Sequence, residues 1–137
     1  MKDIQGRAFD FACSLVRLHR TTTATKVAAP LVSELLRFGL SIGSILEEAE
    51  SIHDKADFIA RCRVSLREAR KTLYWLRLLD ATRTIKSPRL APLTKEAREI
   101  VASLSAIIRN AVMRRICCQK GLAKYASSHD CKFAKNN

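Results

Sequence analysis

The sequence predicts an all-α protein, an antiparallel up-down-up-down four-helix bundle followed by a weakly ordered C-terminal tail. Three observations carry that prediction. Four stretches repeat apolar residues at steps of three and four, the helical period, and none alternates as a strand would. The segments between them are short and rich in Thr, Pro or Asp. The composition is 47% hydrophobic with four Gly and three Pro, which suits a helical core and not a disordered chain. A chain of 137 residues holds one domain with a real core. The bundle is expected over residues 1–115 and a basic, Cys-containing tail over residues 116–137.

The first helix is expected from Ile4 to His19, with Ile4, Ala8, Phe11, Ala12, Leu15 and Leu18 as its core stripe and Phe9 and Val16 widening it. The Thr-rich run RTTTATKVAA then disfavours continuing the helix. Pro30 stands where a proline suits the first helical position, so the second helix is expected from Pro30 to Ser51. Gly39 and Gly43 lie one turn apart inside its apolar arc. Each costs about 1 kcal/mol relative to Ala, so they are expected to admit the close approach of another helix backbone.

The third helix is the longest pattern, from an Asp54 N-cap to Thr82, with Asp57 suiting the dipole of its first turn. Phe58, Cys62, Leu66, Ala69, Leu73 and Leu76 form its expected core stripe. Past Thr72 hardly any polar side remains, and Val64, Trp75 and Leu78 point away from that stripe. In so short a chain a second cover is expected from another subunit, with Val64, Tyr74, Trp75 and Leu78 as the interface. The two prolines of ATRTIKSPRLAP predict a loop, and the fourth helix is expected from Pro92 to Arg114.

The charge narrows the function classes. A formal net charge of +12 favours an acidic partner: nucleic acid, an anionic membrane surface or an acidic protein. Between Lys55 and Arg89 ten Lys or Arg stand against three acids. Arg63, Arg67, Arg70, Lys71 and Arg77 share a band beside the core stripe, at rises of about 5–6 Å per turn. That spacing fits successive phosphates of a nucleic-acid strand, with contacts that carry little sequence information. Pairing of these side chains with Asp57 or Glu68 is the structural alternative. Tyr74 and Trp75 could stack on bases, but their apolar neighbours favour core or interface. Lys120, Lys124, Lys132 and Lys135 in the tail could also steer toward RNA.

No enzyme is expected. The three His are far apart, and no HExxH, CxxC, P-loop or nucleophile-elbow motif occurs. No cofactor is expected either. Cys117, Cys118, His129 and Cys131 offer a zinc donor set, but adjacent cysteines chelate poorly and the usual two-residue spacer is absent, so no metal is expected. The odd count of five Cys argues against a disulfide framework. No signal-peptide pattern opens the chain, and no apolar run is expected to span a bilayer, so the cytoplasm is the default location.

The second and third helices carry a family pattern. Its parts are Leu35–Arg37 before Ser41–Gly43, the acidic close at Glu47 and Glu48, Asp57–Ile59, and Glu68-Ala69 followed by Tyr74-Trp75-Leu76. Together they resemble the four-helix-bundle protein family first known from intervening sequences in bacterial 23S rRNA genes. The match spans Ile4 to Arg115. The chain departs from it at Ile45, where the family usually has Asn. The family is similar in fold to the accessory variability protein of diversity-generating retroelements, a basic homopentamer that binds nucleic acid and a reverse transcriptase. The resemblance implies an antiparallel, ring-shaped homopentameric bundle with no known catalytic activity, and the basic band of the third helix favours nucleic acid, RNA before DNA, as its ligand. The resemblance also implies the alternative of an oligomeric adaptor for a protein such as a reverse transcriptase.

Overall fold

The computed structural model describes residues 2–22 and 26–119. Four helices account for nearly all of them: α1 (Lys2–Thr22), α2 (Ala28–Glu50), α3 (Lys55–Ala81) and α4 (Ser87–Gln119). Each helix packs beside its sequence neighbours, and α4 closes the ring against α1. Short connections between successive helices make them antiparallel, which is the expected four-helix bundle.

The buried residues follow one rule. In α1 the seam residues are Ile4, Ala8, Phe11, Leu15, Leu18 and Thr22, with Gln5 buried beside Ile4; in α2 they are Ala28, Val32, Leu35, Gly39, Ile42, Leu46 and Ala49. In α4 they are Leu90, Leu93, Ala97, Ile100 and Leu104. Steps of three and four alternate, so the seam repeats every 3.5 residues. That period drifts against the 3.6-residue turn and imposes a left-handed supercoil.

The same rule corrects the core stripe of α3. Its buried residues are Ile59, Cys62, Ser65, Ala69, Thr72, Leu76 and Leu79, while Phe58, Leu66 and Leu73 lie half-buried at the edge. A straight wheel accumulates about 20° of error per heptad, and it passed over two polar positions. Both are satisfied internally. Ser65 Oγ donates to the Ile42 carbonyl of α2 at 3.0 Å, and Thr72 Oγ1 donates to its own helix at the Glu68 carbonyl, 2.8 Å away. Trp75 is also corrected: it is half-buried and packs against the core rather than pointing away from it.

Cross-helix polar ties complete the ring. Gln5 Nε2 donates to the Leu46 carbonyl at 3.3 Å and to Glu50 Oε2 at 3.1 Å, joining α1 to α2. Arg7 joins α1 to α4 through Glu96 at 2.9 Å and Glu99 at 2.5 Å. These two carboxylates, Glu96 first, hold the guanidinium above its already high ordinary pKa.

Several expected boundaries move for local reasons. α1 continues through Thr21 and Thr22 because their hydroxyls bond back to carbonyls at Arg17, Leu18 and His19. α2 begins at Ala28, which puts Pro30 third in the helix, still in the turn whose N–H groups have no intrahelical partner. Asp54 caps α3 as expected, accepting from the N–H groups of Ala56 at 2.8 Å and Asp57 at 3.0 Å. α4 starts at Ser87, not Pro92. Pro88 lies in the tolerant first turn, and Pro92 is carried inside the helix by the burial of Leu90 and Leu93 on either side of it. At its other end α4 runs on through Ile116 to Gln119; the rest of the expected tail, with His129 and Cys131, lies outside the described residues.

The expectation about membrane spans also needs correcting: α2 is long and apolar enough to cross a membrane by length and composition. In the bundle its seam residues Val32, Leu35, Ile42 and Leu46 are fully enclosed, whereas Leu31, Leu36, Phe38 and Ile45 are half-buried and Leu40 is exposed.

α3 ends in a Schellman motif. The Thr84 N–H bonds to the Leu79 carbonyl at 3.1 Å and the Arg83 N–H to the Asp80 carbonyl at 3.0 Å. Arg83 occupies the left-handed position usually given to Gly, with φ of 51°. For a residue with a Cβ that conformation costs about 1–2 kcal/mol.

The two α2 glycines play different parts. A methyl group on Gly39 would collide with Leu15 Cδ1 and lie 3.7 Å from Thr72 Cγ2, so the expected backbone approach is here a side-chain knob from α1. A methyl on Gly43 would lie 3.8 Å from the Ala8 carbonyl carbon, an ordinary contact with the α1 backbone. Urea unfolding separates the two. Gly39→Ala should destabilise by about 1–3 kcal/mol, because buried Leu15 must shift. Gly43→Ala should be neutral or stabilise by up to about 1 kcal/mol through helix propensity. Equal effects would contradict this packing.

Candidate nucleic-acid interface

The seam residues of α3 face inward, which leaves the opposite half of the helix to solvent. Arg63, Arg70 and Arg77 recur at one heptad position and form a column with about 10 Å between steps. Arg67 sits between them on the outermost line. All four are exposed, and among the described residues none is in an ion pair. Lys71 differs. It is exposed, but its Nζ lies 2.9 Å from Glu68 Oε1 and 5.0 Å from the centre of the Phe38 ring. Arg37 covers the same ring at 4.3 Å. Lys71 is therefore committed to the α2–α3 seam, and the structure groups four of the five expected cations as a free row.

Toward α4 the row borders a shallow groove of about 330 Å³. Leu66, Ile108, Val112 and Met113 form its floor, and Arg63, Arg70 and Arg109 stand on its rim. Arg109 is not evident from the pattern of any single helix. The available signal was its place beside the Ile108 and Val112 stripe, on the face an antiparallel α4 turns toward Arg63 and Arg70. Across the bundle Arg61 pairs with Glu48 at 3.2 Å, so it is not part of the row.

The expected interface residues occupy mixed environments. Val64, Trp75 and Leu78 are half-buried, whereas Tyr74 is 59% exposed. Tyr74 and Trp75 make an edge-to-face pair with centroids 6.2 Å apart. With Trp75 packed on the core, Tyr74 is the member of this pair that offers its ring to solvent. Phe9, at 68% exposure, is more exposed still, so the stripe expected of α1 is narrower than predicted there.

Among the described residues no group of three or more His, Cys, Asp or Glu could hold a metal ion. The described thiols are free: Cys62 is buried, Cys13 and Cys117 are half-buried, and Cys118 is exposed. Burial pushes the Cys62 thiol up from its ordinary value.

Comparison with known proteins adds a family. The family described as 23S rRNA-intervening sequence protein matches residues 2–106. A solved structure from Bacteroides thetaiotaomicron VPI-5482, described as a protein of unknown function from the S23 ribosomal protein family, is 31% identical. The alignment covers 77% of this chain and 97% of that one, with a TM-score of 0.72. No curated protein matches the chain.

Thiol chemistry checks the seam without a ligand. Brief iodoacetamide treatment at neutral pH, followed by peptide mass analysis, should label Cys118 first and leave Cys62 unmodified until urea is added. Labelling of Cys62 in the folded protein would contradict its place in the core.

Proposed function

We propose that this chain, which belongs to the 23S rRNA-intervening sequence protein family, is a non-enzymatic, oligomeric helical bundle of the cytoplasm that binds RNA through phosphate contacts. The observation that carries this reading is the row of Arg63, Arg67, Arg70 and Arg77, exposed and unpaired among the described residues. A nucleic-acid backbone carries condensed cations, and such a row on a chain of net charge +12 binds by neutralising phosphates and releasing them. Guanidinium groups suit the task because their planar donors match phosphate oxygens. The contacts go to the backbone, so one sequence binds about as well as another. RNA is favoured over DNA by the ribosomal RNA in the family's description. Lys71 joins these contacts only by exchanging Glu68 for a phosphate.

Self-association belongs to the same proposal, with a homopentameric ring as the expected assembly. Repeating the row around a ring multiplies its field. Apolar side chains left at the surface of one copy, Tyr74 at 59% and Met113 at 57% exposure among them, support a covering neighbour. A second reading is an adaptor that presents its surface to a protein such as a reverse transcriptase. The flank of Phe9, Val16 and Leu40 on α1 and α2 favours it, being apolar, exposed and remote from the arginine row.

Affinity for a 20-nucleotide single-stranded RNA should fall about 50-fold between 50 and 200 mM salt if four phosphates are engaged. Arg67→Glu with Arg70→Glu should weaken binding by roughly tenfold or more at 100 mM salt. Salt-independent affinity, or full affinity in the reversed variant, would overturn the reading. Light scattering at micromolar concentration should give a multiple of the chain mass, and a monomer would remove the assembly.

A further inference from the structure

The bundle is electrically lopsided. Arg89 donates to the Thr21 hydroxyl, which sets the start of α4 against the end of α1. The α1–α2 and α3–α4 connections therefore share one end of the bundle. That end exposes Arg17, Lys26, Arg77, Arg83, Lys86 and Arg89. Among the described residues none of the six is in an ion pair. Asp80, at the same end of α3, is engaged by the Ser87 hydroxyl at 2.5 Å.

The helix termini sharpen the contrast. At the opposite end α1 and α3 begin, each with an acid in its first turn, Asp3 and Asp57. Glu47, Glu48 and Glu50 stand beside them at the close of α2, where Lys55 and, on the last turns of α4, Arg114 and Arg115 also lie. At the basic end α2 and α4 begin, and neither has an acid in its first turn. The six cations therefore meet no carboxylate from those two first turns, while the dipoles of α2 and α4 are offset by the C-termini of α1 and α3 at the same end. One cation there is held at a cost: Arg83 keeps a left-handed backbone at a position where Gly would be unstrained.

We propose that this end of the bundle is a second phosphate-binding surface, continuous with the α3 row through Arg77. A bound RNA strand would run along α3 and turn over the α3–α4 connection, its phosphates meeting Arg83, Lys86 and Arg89. The inference rests on the nucleic-acid reading above and enlarges the footprint that reading requires.

Arg83 provides a test that misfolding cannot imitate. Arg83→Gly relieves the backbone while removing the charge, so its urea midpoint should rise as its affinity for the 20-nucleotide RNA falls by roughly threefold. Arg83→Gly with Lys86→Glu should bind about tenfold more weakly at 100 mM salt. Its log affinity against log salt should be shallower by about 0.7 per contact removed. Wild-type affinity and slope in that double variant, alongside lost binding in Arg67→Glu with Arg70→Glu, would overturn the second surface and leave the α3 row standing. Loss in the end variant alone would support the end and remove the row. A wild-type protein that binds RNA without salt sensitivity would overturn both.

Discussion

The approach of α2 to its neighbours is the constraint on which the rest depends. At the middle of the bundle the seam is built from small residues: Gly39 on α2, and Cys62, Ser65, Ala69 and Thr72 on α3. Leu15 of α1 fills the space that Gly39 leaves. Larger residues there would push the helices apart and open voids around Leu35, Ile42 and Leu76, all fully buried. The polar members are tolerated because each hydroxyl finds a carbonyl, and the bond from Ser65 to Ile42 also fixes the relative height of the two helices.

That seam decides where charge can go. A 3.5-residue repeat keeps the same heptad positions facing inward along the whole helix, so the same positions face outward as well. Arg63, Arg70 and Arg77 are aligned because the seam beneath them is regular. Antiparallel topology then sorts the ends. Acids accompany the N-termini of α1 and α3, whereas α2 and α4 begin among cations with no acid in the first turn, so the side-chain charge differs between the two ends. Packing and electrostatics are thus two consequences of one periodicity.

Much of this was legible in the sequence. Helix number, order and antiparallel arrangement follow from the apolar steps, and the Asp54 cap from residue type alone. Two of the differences lie where tertiary burial overrides a local signal. Ser65 and Thr72 look like surface residues until a carbonyl receives them. Pro88 and Pro92 look like a loop until Leu90 and Leu93 are buried on either side. The exposed row was readable on α3 because it needs only one helix. Arg109 and the basic end were not, since both require knowing which helix ends meet. Arg83 carried no signal at all, because its left-handed backbone is a property of the turn.

Ultraviolet cross-linking of the full-length protein to single-stranded RNA, with the attached peptides identified by mass spectrometry, tests most directly where a nucleic acid lies. The account predicts cross-links within α3 and at the start of α4, with few on α2 between Ser41 and Glu50. Cross-links concentrated on that stretch of α2, or spread evenly over all four helices, would contradict it.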